Sequence, residues 1–170
     1  VAEELQATQY LTFVLDNEVF AVDVARVREI LEYTSVTKVP KTERHMRGVI
    51  NLRGSVVPVV DMRVLFGVAE ADTTVNTCII VMEVFSGGAP FVMGALADSV
   101  REVMELDPAL IEPAPKVGSR VKTEFISGMG RQNNEFVMIL DIDRVLPDEA
   151  SLSIAEMGGM AMSPGTEELS

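Results

Sequence analysis

One stretch, Arg47 to Phe66 (RGVINLRGSVVPVVDMRVLF), constrains the fold of this 170-residue chain more than any other. Two strand-length apolar runs, Val49 to Leu52 and Val56 to Val60, flank Arg53-Gly54-Ser55. That pattern predicts a β-hairpin, because Gly54 takes the positive φ of a tight turn at no steric cost. Asp61 then ends the second strand as a helix N-cap, its carboxylate accepting from the first unpaired backbone N–H groups. Met62 to Phe66 fits one or two helical turns, stopped by Gly67. The unit is strand, tight turn, strand, capped helix, with Arg53 near the tip. A solvated turn arginine is the plain reading of that tip. A rigid hairpin that displays a guanidinium to a partner protein is the sharper one.

The rest of the chain repeats this grammar. Tyr10 to Leu15 alternates as a strand, Asp16-Asn17-Glu18 turns, and Val19 to Val22 returns. Asp23 caps a helix expected over Val24 to Leu31, with Val24, Val27 and Leu31 on one face. Val36 to Pro40 is extended, since the residue before a proline is pushed toward β. Lys41 to Met46 is a polar loop, and Pro58, which donates no ladder hydrogen bond, implies an edge or a bulge in its strand. Val68 to Thr77 connects to a second half: a strand over Cys78 to Phe85, a turn at Ser86 to Pro90, and a strand over Phe91 to Leu96. Asp98 to Leu106 suits either a helix or a strand. Pro108, Pro113 and Pro115 keep the next stretch extended, and Phe125 to Met129 pairs with Phe136 to Leu140 around a loop at Gly130 to Asn134. Asp141 caps Ile142 to Leu146.

Val27-Arg28-Glu29 recurs as Val100-Arg101-Glu102, and the Asp61 cap recurs at Asp141, each after a hairpin. A period of roughly 75 to 80 residues is too long for a solenoid repeat, so the chain reads as two similar small β-barrels. From Ser151 onward, glycines and Pro164 dilute any helical face, and a flexible tail over residues 151–170 is expected; a short Met-bearing helix at Leu152 to Met157 is the competing reading.

The 26 acidic residues outweigh 14 basic ones, a formal net charge of -12, which opposes nucleic-acid binding. No signal peptide is read, and no apolar run approaches the roughly 18 to 20 residues that span a bilayer, so a soluble cytoplasmic protein is expected. Cys78 is the only cysteine and lies in an apolar run, where a buried structural thiol is expected; His45, the only histidine, is expected on the surface. No phosphate-binding loop or dinucleotide fingerprint is present. Glu102, Glu105 and Asp107 offer oxygen ligands, but alternating acids on an exposed segment are ordinarily solvated. Asp141 and Asp143 form D-x-D, of which Asp141 is already used as a cap. No catalytic site converges, and no enzyme activity, metal or cofactor is expected.

Gly48-Val49-Ile50-Asn51-Leu52-Arg53-Gly54 and Val57-Pro58-Val59-Val60-Asp61-Met62-Arg63, supported by Val24 to Ile30, Pro113-Ala114-Pro115 and Thr123 to Gly130, resemble the CheW family of chemotaxis coupling proteins over roughly Gln9 to Pro147. The resemblance implies a mainly β fold of two intertwined SH3-like five-stranded β-barrels with short capping helices, in one domain over residues 9–149. The barrels are expected at roughly 16–77 and 78–149, with the strand at 9–15 shared with the second. It implies a non-catalytic adaptor, monomeric when free, that links the cytoplasmic hairpin tip of a methyl-accepting chemoreceptor to the regulatory domain of a CheA-type histidine kinase at membrane-associated arrays. A groove between the barrels would take the receptor tip as a helix face. Carried over by position, Val27, Glu29, Arg53, Cys78, Ile79 and Val103 would face the receptor, although core packing competes for Val27, Cys78, Ile79 and Val103. Gly48, Glu112, Val117 and Gly128 would serve the kinase contact, bulk at either glycine disturbing a barrel edge. Glu112 and Val117 depart from the basic and aromatic residues expected there, so either the second kinase interface differs in this chain or its partner carries matching changes. Coupling proteins of pilus-motility or surface-sensing pathways, polar scaffolds and fused coupling proteins share this fold and stand as alternatives.

Overall fold

The β-branched and aromatic runs become ten strands in the computed structural model, which describes residues 8–34, 36–38, 44–67, 72–86, 89–113, 125–132 and 134–144. They are β1 (Thr8–Leu15), β2 (Glu18–Asp23), β3 (Val27–Glu32), β4 (Met46–Leu52), β5 (Ser55–Asp61), β6 (Cys78–Ser86), β7 (Ala89–Ala97), β8 (Ser99–Leu106), β9 (Ile126–Gln132) and β10 (Glu135–Leu140). One helical turn, α1 (Met62–Leu65), follows β5, and Asp61 caps it by accepting from the Arg63 N–H at 3.0 Å. The strands form two five-stranded sheets, ordered β8-β1-β2-β10-β9 and β3-β6-β7-β5-β4. Neighbours run antiparallel except β2 with β10 and β5 with β7, which are parallel. The chain leaves the first sheet after β2, builds the whole second sheet, and returns with β8 to β10, so the two units are intertwined.

A pair of reciprocal hydrogen bonds closes each sheet. Thr37, continuing from the outer strand β3, exchanges N–H···O bonds of 2.9 and 2.8 Å with Val49 on β4, the opposite outer strand. Glu112, continuing from β8, exchanges bonds of 2.8 and 2.7 Å with Met129 on β9. A glycine precedes each bridged strand residue. A Cβ on Gly48, which has φ +143°, would lie 2.2 Å from the Thr37 carbonyl oxygen; one on Gly128 would lie 2.5 Å from the Ile111 side chain and 3.1 Å from the Glu112 carbonyl oxygen. The edges meet because these positions carry no side chain.

Strict alternation divides the apolar residues into three cores. Val19, Ala21, Met104, Leu106, Val137 and Ile139 fill the first barrel. Ile50, Val57, Val59, Ile79, Val81 and Leu96 fill the second. The opposite faces of the same strands, including Phe13, Phe20, Val60, Ile80, Met82, Met93 and Met138, pack between the barrels. Phe66 stacks on Phe20 and packs at a tilt against Phe125 there, each pair with ring centroids 5.6 Å apart. Two ion-pair latches flank this middle core. Arg26 bonds both Asp143 carboxylate oxygens, and the Phe85 N–H donates to the same carboxylate. Arg63 bonds Asp98, and the Asp16 N–H donates to that carboxylate. The Arg26 hydrogen bonds hold the Asp143 carboxyl below its usual range.

Several expectations need correction. The division at residue 77 does not follow the sheets: β2 lies beside β10, while β6 and β7 complete the sheet of β3 to β5. Only Val24–Arg26 of the expected helix is helical, a single 3-10 turn capped by Asp23, and β3 follows. Exposure along β3 alternates with period two, but its more buried row includes Glu29, which hid the strand pattern. Asp98 to Leu106 resolves as strand β8. Gly130 is in β9 rather than a loop, and a Cβ there would lie 2.7 Å from Leu106. His45 is buried, its carbonyl accepting from the Asp61 N–H at 2.7 Å. Pro58 lies one residue before β5 gains β7 as a neighbour, so it needs no partner on that side. Of the helix expected over Ile142 to Leu146, the described residues Ile142 to Arg144 form a turn that starts at Asp141; its last two residues, the tail and Val117 lie outside the described residues.

Gly48→Ala should lower stability by about 3 kcal/mol or more, because backbone must move at a left-handed φ. Gly128→Ala should cost about 1–3 kcal/mol, since the nearest atom belongs to a side chain. Denaturant unfolding of both variants checks the order; equal, negligible losses would contradict closure by close approach.

Candidate partner-binding surface

β3 is an outer strand, and its register against β6 shifts by one residue between Val27 and Glu29. Such a bulge re-aims side chains locally. Val27 sits at the start of the strand, half-buried against the core between the barrels. The Arg53 guanidinium bonds both Glu29 oxygens from the β4–β5 turn, Nη1 to Oε1 at 2.7 Å and Nη2 to Oε2 at 2.9 Å. Arg53 has φ 52° and Gly54 φ 87°, a tight turn between the paired residues Leu52 and Ser55. The Asn51 side chain accepts from the Gly54 N–H at 2.9 Å and fixes the turn further.

Arg53 is therefore held at its tip while 73% of its side chain stays exposed, against 26% for Glu29. The hydrogen bond to Arg53 holds the Glu29 carboxyl below its usual range, and the carboxylate in turn raises the guanidinium. Arg53 is thus more than a solvated turn residue: it folds back on Glu29 and leaves its outer face exposed.

The structure brings Val27, Glu29 and Arg53 onto one edge of the second barrel. Cys78 lies at the other end of the same strand pair, opposite Glu32, whereas Val27 pairs with Met82. At about 3.4 Å per strand residue, the two ends are roughly 17 Å apart. Its thiol is partly buried rather than fully so, lies 3.2 Å from the Asn76 carbonyl oxygen, and is pushed up by burial. Ile79 is fully buried inside the second barrel and cannot line a groove; its apolar run was a core run. Val103 is half exposed, on β8 of the first sheet opposite Leu11.

The expected kinase-side residues divide similarly. Gly48 and Gly128 act inside their own barrels as closure points, so bulk there strikes the protein's own backbone or side chains first. Glu112 is exposed, with Arg131 Nε 3.6 Å from its carboxylate, and Arg131 also lies 5.0 Å over the ring of Phe136. Phe136 and Leu110 are exposed apolar residues that the sequence pattern did not single out. The latch between Arg26 and Asp143 was missed as well. The D-x-D at Asp141 carried its signal, because a cap at Asp141 leaves Asp143 unexplained. Among the described residues, no group of three or more His, Cys, Asp or Glu is placed to hold a metal ion, and no helix is long and apolar enough to cross a membrane.

The profile of the CheW-like domain matches residues 9–150. The chain is 33% identical over 149 residues to the chemotaxis protein CheW of Klebsiella aerogenes, covering 88% of this chain and 87% of that protein. It is 32% identical over 141 residues to the chemotaxis protein CheW of Rhizobium meliloti, covering 83% and 88%. The crystal structure of the scaffolding protein TtCheW from Thermoanaerobacter tengcongensis superimposes with a TM-score of 0.75 at 28% identity, over 85% of this chain and 90% of that one.

The pair of Arg53 with Glu29 is exposed enough for solvent and salt to screen it, so Arg53→Ala should shift the thermal midpoint little. The depressed Glu29 carboxyl sets the sign: any contribution is present above the usual carboxylate range and lost as pH falls through the folded value. The parent and Arg53→Ala midpoints should therefore converge on acidification. A large loss at neutral pH would show that Arg53 is chiefly a folding residue.

Proposed function

The chain belongs to the CheW-like domain family, and from that premise we propose that it is a non-catalytic adaptor of chemotaxis signalling. Its partners are the cytoplasmic hairpin tip of a methyl-accepting receptor and the regulatory domain of a CheA-type histidine kinase. It is cytoplasmic, monomeric when free, and recruited to membrane-associated receptor arrays. The CheW relatives and the scaffolding-protein structure support the adaptor role. The finer assignment of partners rests on one observation, the exposed but oriented Arg53.

Stability alone accounts poorly for that arginine. Arginine in the left-handed region carries a steric cost that Gly, Asn or Asp would avoid, and an exposed ion pair returns little. A guanidinium already fixed in one rotamer loses less freedom when a partner binds, and Arg is enriched among residues that dominate interfaces. We assign the receptor contact to the edge bearing Val27, Glu29 and Arg53, with Val103 on the neighbouring sheet. Cys78 belongs at the periphery of that contact, and Ile79 supports it from within the core. The kinase contact is assigned to Glu112 in the closing bridge and to Val117, five residues on in the sequence, with Gly48 and Gly128 shaping the barrel edges.

Titration calorimetry tests this directly. The protein should bind a soluble receptor-tip hairpin and, separately, the kinase regulatory domain. Arg53→Ala should weaken the receptor contact roughly 30-fold and leave the kinase contact nearly unchanged. Arg53→Lys should restore little, since an ammonium lacks the planar fork. Binding to neither partner, or turnover of a nucleotide by the purified protein, would overturn the proposal.

A further inference from the structure

Arg26 stands where the two barrels and the recognition edge meet. It closes the 3-10 turn between β2 of the first sheet and β3 of the second. Its Nη1 donates to Asp143 Oδ1 at 2.8 Å and Nη2 to Oδ2 at 2.6 Å, just beyond the end of β10. Nη1 also donates to the Glu83 carbonyl on β6 at 3.1 Å, and the guanidinium carbon lies 4.7 Å over the ring of Phe85. Asp143 Oδ1 takes a further bond, from the Phe85 N–H at 2.8 Å. One guanidinium and one carboxylate thus join the chain after β10 of the first sheet to β6 of the second, at the entry to β3.

The position of Arg26 in the chain gives the arrangement its consequence. The next residue is Val27, and two further on is Glu29, which holds Arg53. The other latch, Arg63 with Asp98, comes after β5 and has no such connection to β3. A quarter-exposed ion pair is a modest source of stability, yet its forked geometry fixes orientation closely. The geometry points to Arg26 and Asp143 as positioning residues for partner recognition: their latch sets where the Val27–Glu29–Arg53 edge sits relative to the first barrel. This rests on the proposed function, in which this edge meets the receptor tip.

The test pairs binding with distance. Arg26→Ala and Asp143→Ala should each weaken binding of a soluble receptor-tip hairpin about fivefold or more. The double variant should be no worse than either single, because both remove one latch. In a Cys78→Ser background, spin labels at Glu32→Cys on β3 and Glu105→Cys on β8 should give a narrow distance distribution that broadens in either latch variant. Exchanging the charges, Arg26→Asp with Asp143→Arg, should restore part of both. Arg26→Lys, which keeps the charge without the fork, should fall between parent and alanine and covers the case in which an alanine variant fails to fold. A distribution that ignores the substitutions overturns the latch, and one that broadens while affinity holds overturns the positioning role. Additive losses, or weaker binding at unchanged distance, also overturn it, by making Arg26 a direct contact. If the parent does not bind the hairpin at all, the receptor reading fails and the positioning role falls with it, whatever the distances show.

Discussion

The reciprocal hydrogen bonds between Thr37 and Val49, and between Glu112 and Met129, are what the rest of the structure depends on. Without them each unit is an open sheet with two exposed edges, and open edges invite pairing with other chains. The closures are short because the chain that leaves β3 or β8 reaches the opposite edge at one residue. They are close because Gly48 and Gly128 let backbone or a neighbouring side chain occupy the place of a Cβ. The same geometry in both halves makes the internal repeat physical: equivalent edges, equivalent glycines, equivalent bridges.

Closure alone would give two separate barrels. The parallel pairs β2 with β10 and β5 with β7 exchange strands between the halves, and the middle core buries the outer faces of the exchanged strands. The latches reinforce that choice through their order of charge. Arg26 follows β2 and faces Asp143 after β10; Arg63 follows β5 and faces Asp98 after β7. Pairing β2 with β5 and β7 with β10 instead would bring Arg26 toward Arg63 and Asp98 toward Asp143. Like charges at short range disfavour that arrangement. The exchange is thus written into the sequence as charge as well as hydrophobicity.

Much of this was legible in advance. The central hairpin, the Asp61 cap, the strand after Asp16-Asn17 and the doubled order of elements all come from alternation and turn residues. The hidden parts are physically consistent. β3 looked helical because the more buried row of that short strand carries Glu29, a charge that only a distant arginine satisfies. Gly130 looked like a loop because its reason, the packing of Leu106, is non-local. The exchange of strands was invisible to any local pattern, since each strand would look the same beside either neighbour. Among the site residues, Glu29 and Arg53 are brought together by the fold, and Ile79 is withdrawn from the surface because it shares the β6 face of Val81, which packs with Val59 of β5 in the barrel interior.

Function depends on rigidity of this kind. An adaptor contributes no chemistry of its own, so the family role requires surfaces held in fixed relation, and closure plus latching provides them. Amide hydrogen exchange followed by NMR tests the closure most directly. The Thr37, Val49, Glu112 and Met129 N–H groups should exchange as slowly as those in the middle of β6 and β7, opening only with global unfolding. Exchange at those four sites as fast as at the exposed turn residue Asn76 would show that the barrels are open sheets, and the account of the fold would fail.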